Sequence, residues 1–293
     1  MILREPCLPP GWYPRGKDQI AEFLEPFSVK NRTQSQTGQE ASGYTAGIAP
    51  HAGWYYSGFT AAMAVSGLDK RAETIAVIGG HLPGGSPILV AGEDGVKTPF
   101  GILKIDGELR EEFKKQIPSG LNSVRPDRYQ DNTVEVLLPM VRYFFPESGL
   151  LWLRFPSDLS SHEAGKILAE TAGSLNRRIA VIGSTDLTHY GSNYGFSPKG
   201  RGRAALEWVK NTNDAAFISA VLDGKAPQIL KRAEEDFSSC SAGAVLGALG
   251  FASTMAEARG RPSVRRLLDY RTSAGDDPEP PDSFVGYASI VFS

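Results

Sequence analysis

Two near-identical apolar runs constrain the fold more than any other feature: Thr74-Ile75-Ala76-Val77-Ile78-Gly79 and Arg178-Ile179-Ala180-Val181-Ile182-Gly183. Neither alternates polar with apolar residues. A strand without a polar side must be covered on both faces, as happens inside a sheet flanked by helices. Further strands are predicted at residues 44–49, 88–91, 101–105 and 150–155, with Asp94-Gly95 as a turn signal. Helical patterns fill the intervals at 58–66, 107–116, 133–145 and 160–172, the last with Ser160 and Glu163 at capping-box spacing. Beyond the second run, 203–210, 214–222 and 226–232 read as helices, and 240–251 as a buried helix of small residues. Residues 264–270 and 284–292 read as closing strands with no helix between them. This alternation predicts an α/β fold, a central mixed sheet with helices on both faces. The polar stretches 31–43 and 273–283 are predicted loops, neither long enough for a domain linker. One domain over residues 1–293 is therefore expected, a length that single α/β domains reach.

Charge and cysteine content exclude several classes of function. Thirty-one basic and 33 acidic residues leave a net charge of −2, so no basic surface for nucleic acid or an anionic membrane is expected. No apolar run approaches the roughly 20 residues of a membrane span. Residues 1–10 lack the apolar stretch of a signal peptide. The only cysteines, Cys7 and Cys240, exclude a disulfide framework and suit a reducing cytosol, so a cytoplasmic location is expected.

Chemistry concentrates on a few side chains. Of the four histidines, His51, His81 and His189 share one context, just beyond a predicted buried strand and beside glycine. The carboxyl ends of strands form the ligand crevice of an open α/β sheet. Three strands then deliver imidazoles to one edge; the alternative for each is a satisfied structural histidine. His162, in the first turn of a predicted helix, reads as an exposed helix-start residue. Cys240 precedes a predicted helix, where the dipole and free N–H groups favour thiolate, the form that binds metal or attacks electrophiles. It can equally be a small buried hydrophobe. Asp186, three residues before His189, can orient an imidazole, accept a proton or cap a turn. Asp131 and Glu135, four apart, share one face of a predicted helix start, where acids also favour the dipole. Trp54, Tyr55 and Tyr56 follow His51 and can wall a pocket or fill the core.

Taken together, these segments resemble the Memo family, which includes bacterial and archaeal members named as protein B of the AmmeMemoRadiSam system. Arg4, Pro6, Gly11, Trp12, Tyr13 and Pro14 fit its opening. Ala49-Pro50-His51-Ala52-Gly53-Trp54-Tyr55-Tyr56-Ser57-Gly58 and Ser184-Thr185-Asp186-Leu187-Thr188-His189-Tyr190-Gly191 fit its most specific segments. Residues 131–139, then Tyr270, Ser273, Gly275 and Asp276, then Val285-Gly286-Tyr287-Ala288 support the match. The resemblance covers nearly the whole chain. It implies a fold similar to the class III extradiol dioxygenases (LigB-type), non-haem iron enzymes that cleave catechol rings. It further implies His51, His81 and Cys240 as metal-site residues, Asp186 and His189 as pocket residues, and iron or copper as the metal. Two departures stand out. The family's Gly-Pro-Ser-His is shortened here to Gly79-Gly80-His81, and a histidine after the first acid of the acidic helix is Asn132 here.

Three functional readings follow. The first is a metal-dependent oxidoreductase holding Fe(II) or Cu, with His189 as acid/base oriented by Asp186. Zinc also takes two imidazoles, a thiolate and water. The second is a metal-free hydrolase or transferase with Cys240 as nucleophile and His189 and Asp186 as base and orienter. The third is a protein that binds a metal, a small molecule or a peptide without turnover.

Overall fold

The computed structural model describes residues 1–36, 43–275, 277 and 279–293. In chain order, β1 (Leu3–Arg4) leads to α1 (Lys17–Gln36), β2 (Ala46–Ala49), α2 (Trp54–Ser66) and β3 (Thr74–Leu82). There follow β4 (Ile88–Val90), β5 (Gly95–Thr98), β6 (Gly101–Lys104), α3 (Gly107–Gln116) and β7 (Val124–Pro126). Next come α4 (Asn132–Glu135), α5 (Leu138–Phe144), β8 (Gly149–Pro156), α6 (Ser160–Ser174), β9 (Ile179–Ser184) and β10 (His189–Gly191). The last third holds α7 (Arg203–Trp208), a π-helical turn at Val209–Asn213, α8 (Asp214–Asp223), α9 (Ala226–Glu235), α10 (Ala242–Ala258), β11 (Arg265–Thr272) and β12 (Ser283–Phe292).

The two apolar runs are β3 and β9, paired in parallel at the centre of a mixed sheet of nine strands among the described residues. Its order is β10-β12-β2-β9-β3-β8-β4-β7, with β11 antiparallel to β12. Successive strand residues point to opposite faces. Ile75, Val77, Leu150, Trp152, Ala180 and Ile182 therefore enter one core with α1, α2 and α5. Ala76, Ile78, Leu151, Leu153, Phe155 and Val181 enter the other with α6 and α10. Each buried branched side chain contributes about 1.5–3 kcal/mol, which explains why these strands carry almost no polar residue. β2, β9, β3 and β8 run parallel, so Ala49, Ser184, Leu82 and Pro156 all end at one edge of the sheet. No helix of the described residues is long and apolar enough to cross a membrane.

Several local expectations change. Asp94-Gly95 is not a turn: Gly95 opens β5, paired with Leu3 of β1 and Lys104 of β6, and a Cβ there would meet Ile102 at 2.9 Å in the partner strand. The hairpin turns instead at Pro99-Phe100, where the Phe100 N–H donates to Thr98 Oγ1 and Gly101 takes φ +99°. The helix expected at 133–145 is two, α4 and α5, broken before Pro139, which lacks the N–H an unbroken helix requires. Ser160 and Glu163 form no capping box; Asp158 accepts the Ser160 N–H at 2.9 Å instead. α1 was absent from the sequence reading, although Ile20, Leu24 and Phe27 stand at i, i+4 and i+7 and are buried. The loop expected at 31–43 overlaps the end of α1, and its residues 37–42 lie outside the described residues.

Candidate metal centre

His51 follows β2 by two residues, and His81 is the penultimate residue of β3. The approach to His81 is tight. A Cβ on Gly79 would sit 2.1 Å from Thr133 Oγ1, and one on Gly80 would sit 2.3 Å from Ser241 Cβ. Only glycines let the strand end pass between α4 and the start of α10. His81 itself takes φ +57°, a left-handed conformation that costs roughly 1–3 kcal/mol in a non-glycine residue. The strain is held by the His81 N–H to Ser241 Oγ (3.3 Å) and by Asp131 Oδ2 at 3.1 Å from the ring Nδ1.

Cys240 reaches the same point from the other side of the sheet edge. Its backbone N–H donates to the Asp186 carbonyl at 3.2 Å, and Ser241 N–H donates to Thr185 Oγ1. α10 begins at Ala242, so Cys240 stands two residues before the helix rather than opening it. Its Sγ lies 3.2 Å from His51 Nε2. The two imidazole rings meet edge-on with centroids 4.9 Å apart. One ligand atom each from His51, His81 and Cys240 lies within 4.8 Å of the others. His51 Nδ1 is engaged by Ser184 Oγ at 3.0 Å and His81 Nδ1 by Asp131, so Nε2 of each ring is the nitrogen left to the cluster. Imidazoles held on their far nitrogen, with a sulfur beside them, form a donor set that suits a soft or borderline transition metal.

The electrostatics follow from proximity. Burial alone would raise the Cys240 thiol, but His51 and His81 outweigh it and bring the group well below its ordinary value, into the thiolate form. Burial opposes charge on His81, yet Asp131 and Cys240 hold its imidazole up at about 10. His51 is raised in the same way by Asp186 and Cys240 against its own burial. Asp131 is held down at about 2: burial is outweighed by His81, Thr133 and Arg154. Asp186 is raised, by burial first and then by the Cys240 thiolate.

The remaining expected site residues divide. Asp186 does not orient His189. Its Oδ1 accepts the His51 N–H at 2.7 Å, and its Oδ2 lies 3.9 Å from His51 Nε2. His189 places Nδ1 3.1 Å from the Leu187 carbonyl and its ring 4.9 Å from Tyr194. Asp131 is the N-cap of α4, not a member of its face, and accepts from Thr133 N–H. Glu135 points away from the centre and accepts from Cys7 N–H, Leu8 N–H and the Tyr13 hydroxyl, tying down the N-terminal segment. Tyr55 is 89% exposed on the outer side of α2; the neighbouring Tyr56 lines the cavity instead. Trp54 is core. His162 is half-buried rather than exposed, and burial with nearby Lys166 lowers its pKa. Asp276 lies outside the described residues.

The sequence reading missed Arg154. It is buried in β8, donates to the Gly80 carbonyl (3.0 Å) and to Asp131 Oδ2 (3.1 Å), and so ties His81's carboxylate partner to the strand end. A lone arginine inside an apolar strand was the available signal, since a buried guanidinium requires partners. Asn132, at the position noted as a departure, donates to the His51 carbonyl at 3.0 Å.

Above the two imidazoles opens a cavity of about 650 Å³. Its walls include Trp12, Tyr56, Tyr194 and Tyr287, with Asp186, His189, Asn193 and Ser273 as polar groups. Cys240 does not line it. Pro10, Gly11 and Trp12 supply one side and Ser273, Pro281 and Ser283 another, so chain regions far apart in sequence converge here.

The chain matches the family model described as Memo-like protein over residues 4–291. It is 33% identical to a MEMO1 family protein of Pyrococcus abyssi over 301 residues, covering 99% of each chain. A MEMO1 family protein of Thermococcus kodakarensis is 30% identical, with 99% of each covered. The crystal structure of an uncharacterized protein from Escherichia coli K12 aligns with TM-score 0.48 at 11% identity, over 83% of this chain and 98% of that one, a likeness that carries no inference about function. On the family match and the end-to-end relatives, this chain belongs to the Memo-like protein family.

Proposed function

We propose that the chain holds a redox-active metal, iron(II) or copper, on His51 Nε2, His81 Nε2 and Cys240 Sγ, and acts as a metal-dependent oxidoreductase on a ligand received in the cavity. One observation carries this reading. Three donor atoms of the right chemistry lie within 4.8 Å of one another, and the nitrogen of each imidazole that faces away is already hydrogen-bonded. Bound there, the metal would supply electron transfer and a Lewis-acid position facing the cavity. Zinc fits the same donors but not the redox role.

The chain's own residues have distinct parts. Asp186 holds the His51 backbone, and Asp131 with Arg154 holds the His81 ring. The Leu187 carbonyl can only accept, so it keeps the proton of neutral His189 on Nδ1 and leaves Nε2 able to take a proton from a ligand in the cavity. Trp12, Tyr56, Tyr194 and Tyr287 limit water around that ligand.

Anaerobic titration with copper(II) tests the reading. The expected result is a visible thiolate-to-copper charge-transfer band that saturates at one equivalent and is absent from Cys240→Ser. No band together with no bound iron(II) in a parallel anaerobic titration, or the same band in that variant, overturns it. A second reading rests on the 3.2 Å contact between Cys240 Sγ and His51 Nε2, an activated-thiol pair whose base is His51 rather than His189. Against it, the sulfur does not line the cavity where a substrate would sit. Rapid single alkylation of Cys240 by iodoacetamide in metal-free protein, together with the absence of the copper band, would favour that pair.

A further inference from the structure

We infer that Asp214, a buried carboxylate remote in sequence from every candidate site residue, is the positioning residue for His189. The inference rests on the reading of His189 as the proton-handling group of the cavity. Asp214 is fully buried. Its Oδ1 accepts both the backbone N–H (3.1 Å) and the hydroxyl (2.5 Å) of Thr188, the residue just before His189. Its Oδ2 accepts the Tyr270 hydroxyl at 2.7 Å. Asn213, its neighbour, donates from Nδ2 to Thr188 Oγ1 (2.9 Å) and to the Asp236 carbonyl (2.9 Å). Both N–H groups of that amide and the Thr188 hydroxyl, as donor and as acceptor, are thereby used.

Two successive residues converge on Thr188 at the end of the π-helical turn Val209–Asn213, a helix irregularity that recurs at functional sites. β12 pins the same segment. Leu187 N–H donates to the Gly286 carbonyl at 2.8 Å, and Gly286 N–H donates to the Thr188 carbonyl at 3.0 Å. Gly286 leaves space for the carboxylate, since a Cβ there would lie 2.0 Å from Asp214 Oδ2. Leu187 and Thr188 are thus held by both a carboxylate and a strand. The Leu187 carbonyl that this clamp fixes is the group 3.1 Å from His189 Nδ1. The clamp therefore sets the direction in which His189 presents Nε2 to the cavity, and it touches none of His51, His81 or Cys240.

The test is NMR on metal-free, histidine-labelled protein, reading the cross-peak between the His189 and Tyr194 rings. Asp214→Ala and the near-isosteric Thr188→Val are expected to lose it. Asp214→Asn is expected to keep it, because its amide oxygen still accepts from Thr188 while its NH₂ donates to the Tyr270 oxygen. A role in stability alone would leave the cross-peak intact in the folded fraction of every variant. If Asp214→Ala does not fold, Thr188→Val decides. An unchanged cross-peak in the folded Asp214→Ala and Thr188→Val proteins overturns the inference. Copper uptake is expected to be the same in all of them. Wild-type protein that binds no metal defeats the metal reading and leaves this comparison standing.

Discussion

His81 is the residue in which local strain and function meet. It keeps a left-handed backbone because Gly79, Gly80, Ser241 and Asp131 hold it there, and Asp131 is in turn shared with Arg154 and the cap of α4. Asp131→Asn removes the charge, sets amide hydrogens against the donors of His81 and Arg154, and keeps an acceptor for the cap. It is expected to weaken metal binding by about 10–100-fold, read by competition with a chromophoric chelator. Unchanged affinity would mean that the His81 ring needs no outer support. Asp214 makes a different prediction. Burial lifts its carboxyl to about 6, against the opposing bonds from Thr188 and Tyr270. Between about pH 4 and about pH 6 the folded chain then holds a proton that the unfolded chain has lost, so stability falls as pH rises through that window, by at most about 3 kcal/mol. Urea midpoints across the window should show a slope in wild type that flattens in Asp214→Asn. Equal slopes would contradict a raised carboxyl.

α10 is the element on which the packing turns. Its glycines meet backbone directly. A Cβ on Gly250 would lie 2.0 Å from the His162 carbonyl oxygen, and one on Gly165 of α6 would lie 2.0 Å from the Gly247 carbonyl oxygen. This close approach brings Ser241 against Gly80, and so brings Cys240 to the histidines. Gly165→Ala is expected to destabilise the fold by at least about 1–3 kcal/mol and to lower the thermal midpoint. An unchanged midpoint would mean the two helices can separate at no cost. Much of this was legible: β3 and β9 as fully apolar strands, α10 as a small-residue helix, and β11 and β12 as closing strands with no helix between them. What escaped depended on contacts distant in sequence. β5 starts where Asp94-Gly95 mimics a turn, because Gly95 pairs with Leu3 of β1 and Lys104 of β6. Glu135 reads as the second acid of a helix face, yet it binds Cys7 and Leu8, 128 and 127 residues away. Tyr55 and Tyr56 cannot be told apart without the rotation of α2.

At the scale of the molecule, four parallel strands end at one edge, and that edge collects His51, His81, Arg154 and Asp186. The shared placement of His51 and His81 after apolar runs was readable from strand order alone. Cys240 was not, because the loop that carries it reaches the cluster only once α10 has packed beneath the sheet. The thiolate owes its low pKa to two imidazoles rather than to the helix end that the sequence pointed to. The account stands on those three side chains sharing one ion. Elemental mass spectrometry of protein purified anaerobically, without chelator or affinity tag, tests it most directly. The account predicts about one iron or copper per chain in wild type and in His162→Ala, lost in His51→Ala and Cys240→Ser. Wild-type protein that carries no metal and takes up none on reconstitution, or a Cys240→Ser protein with undiminished metal content, would contradict it.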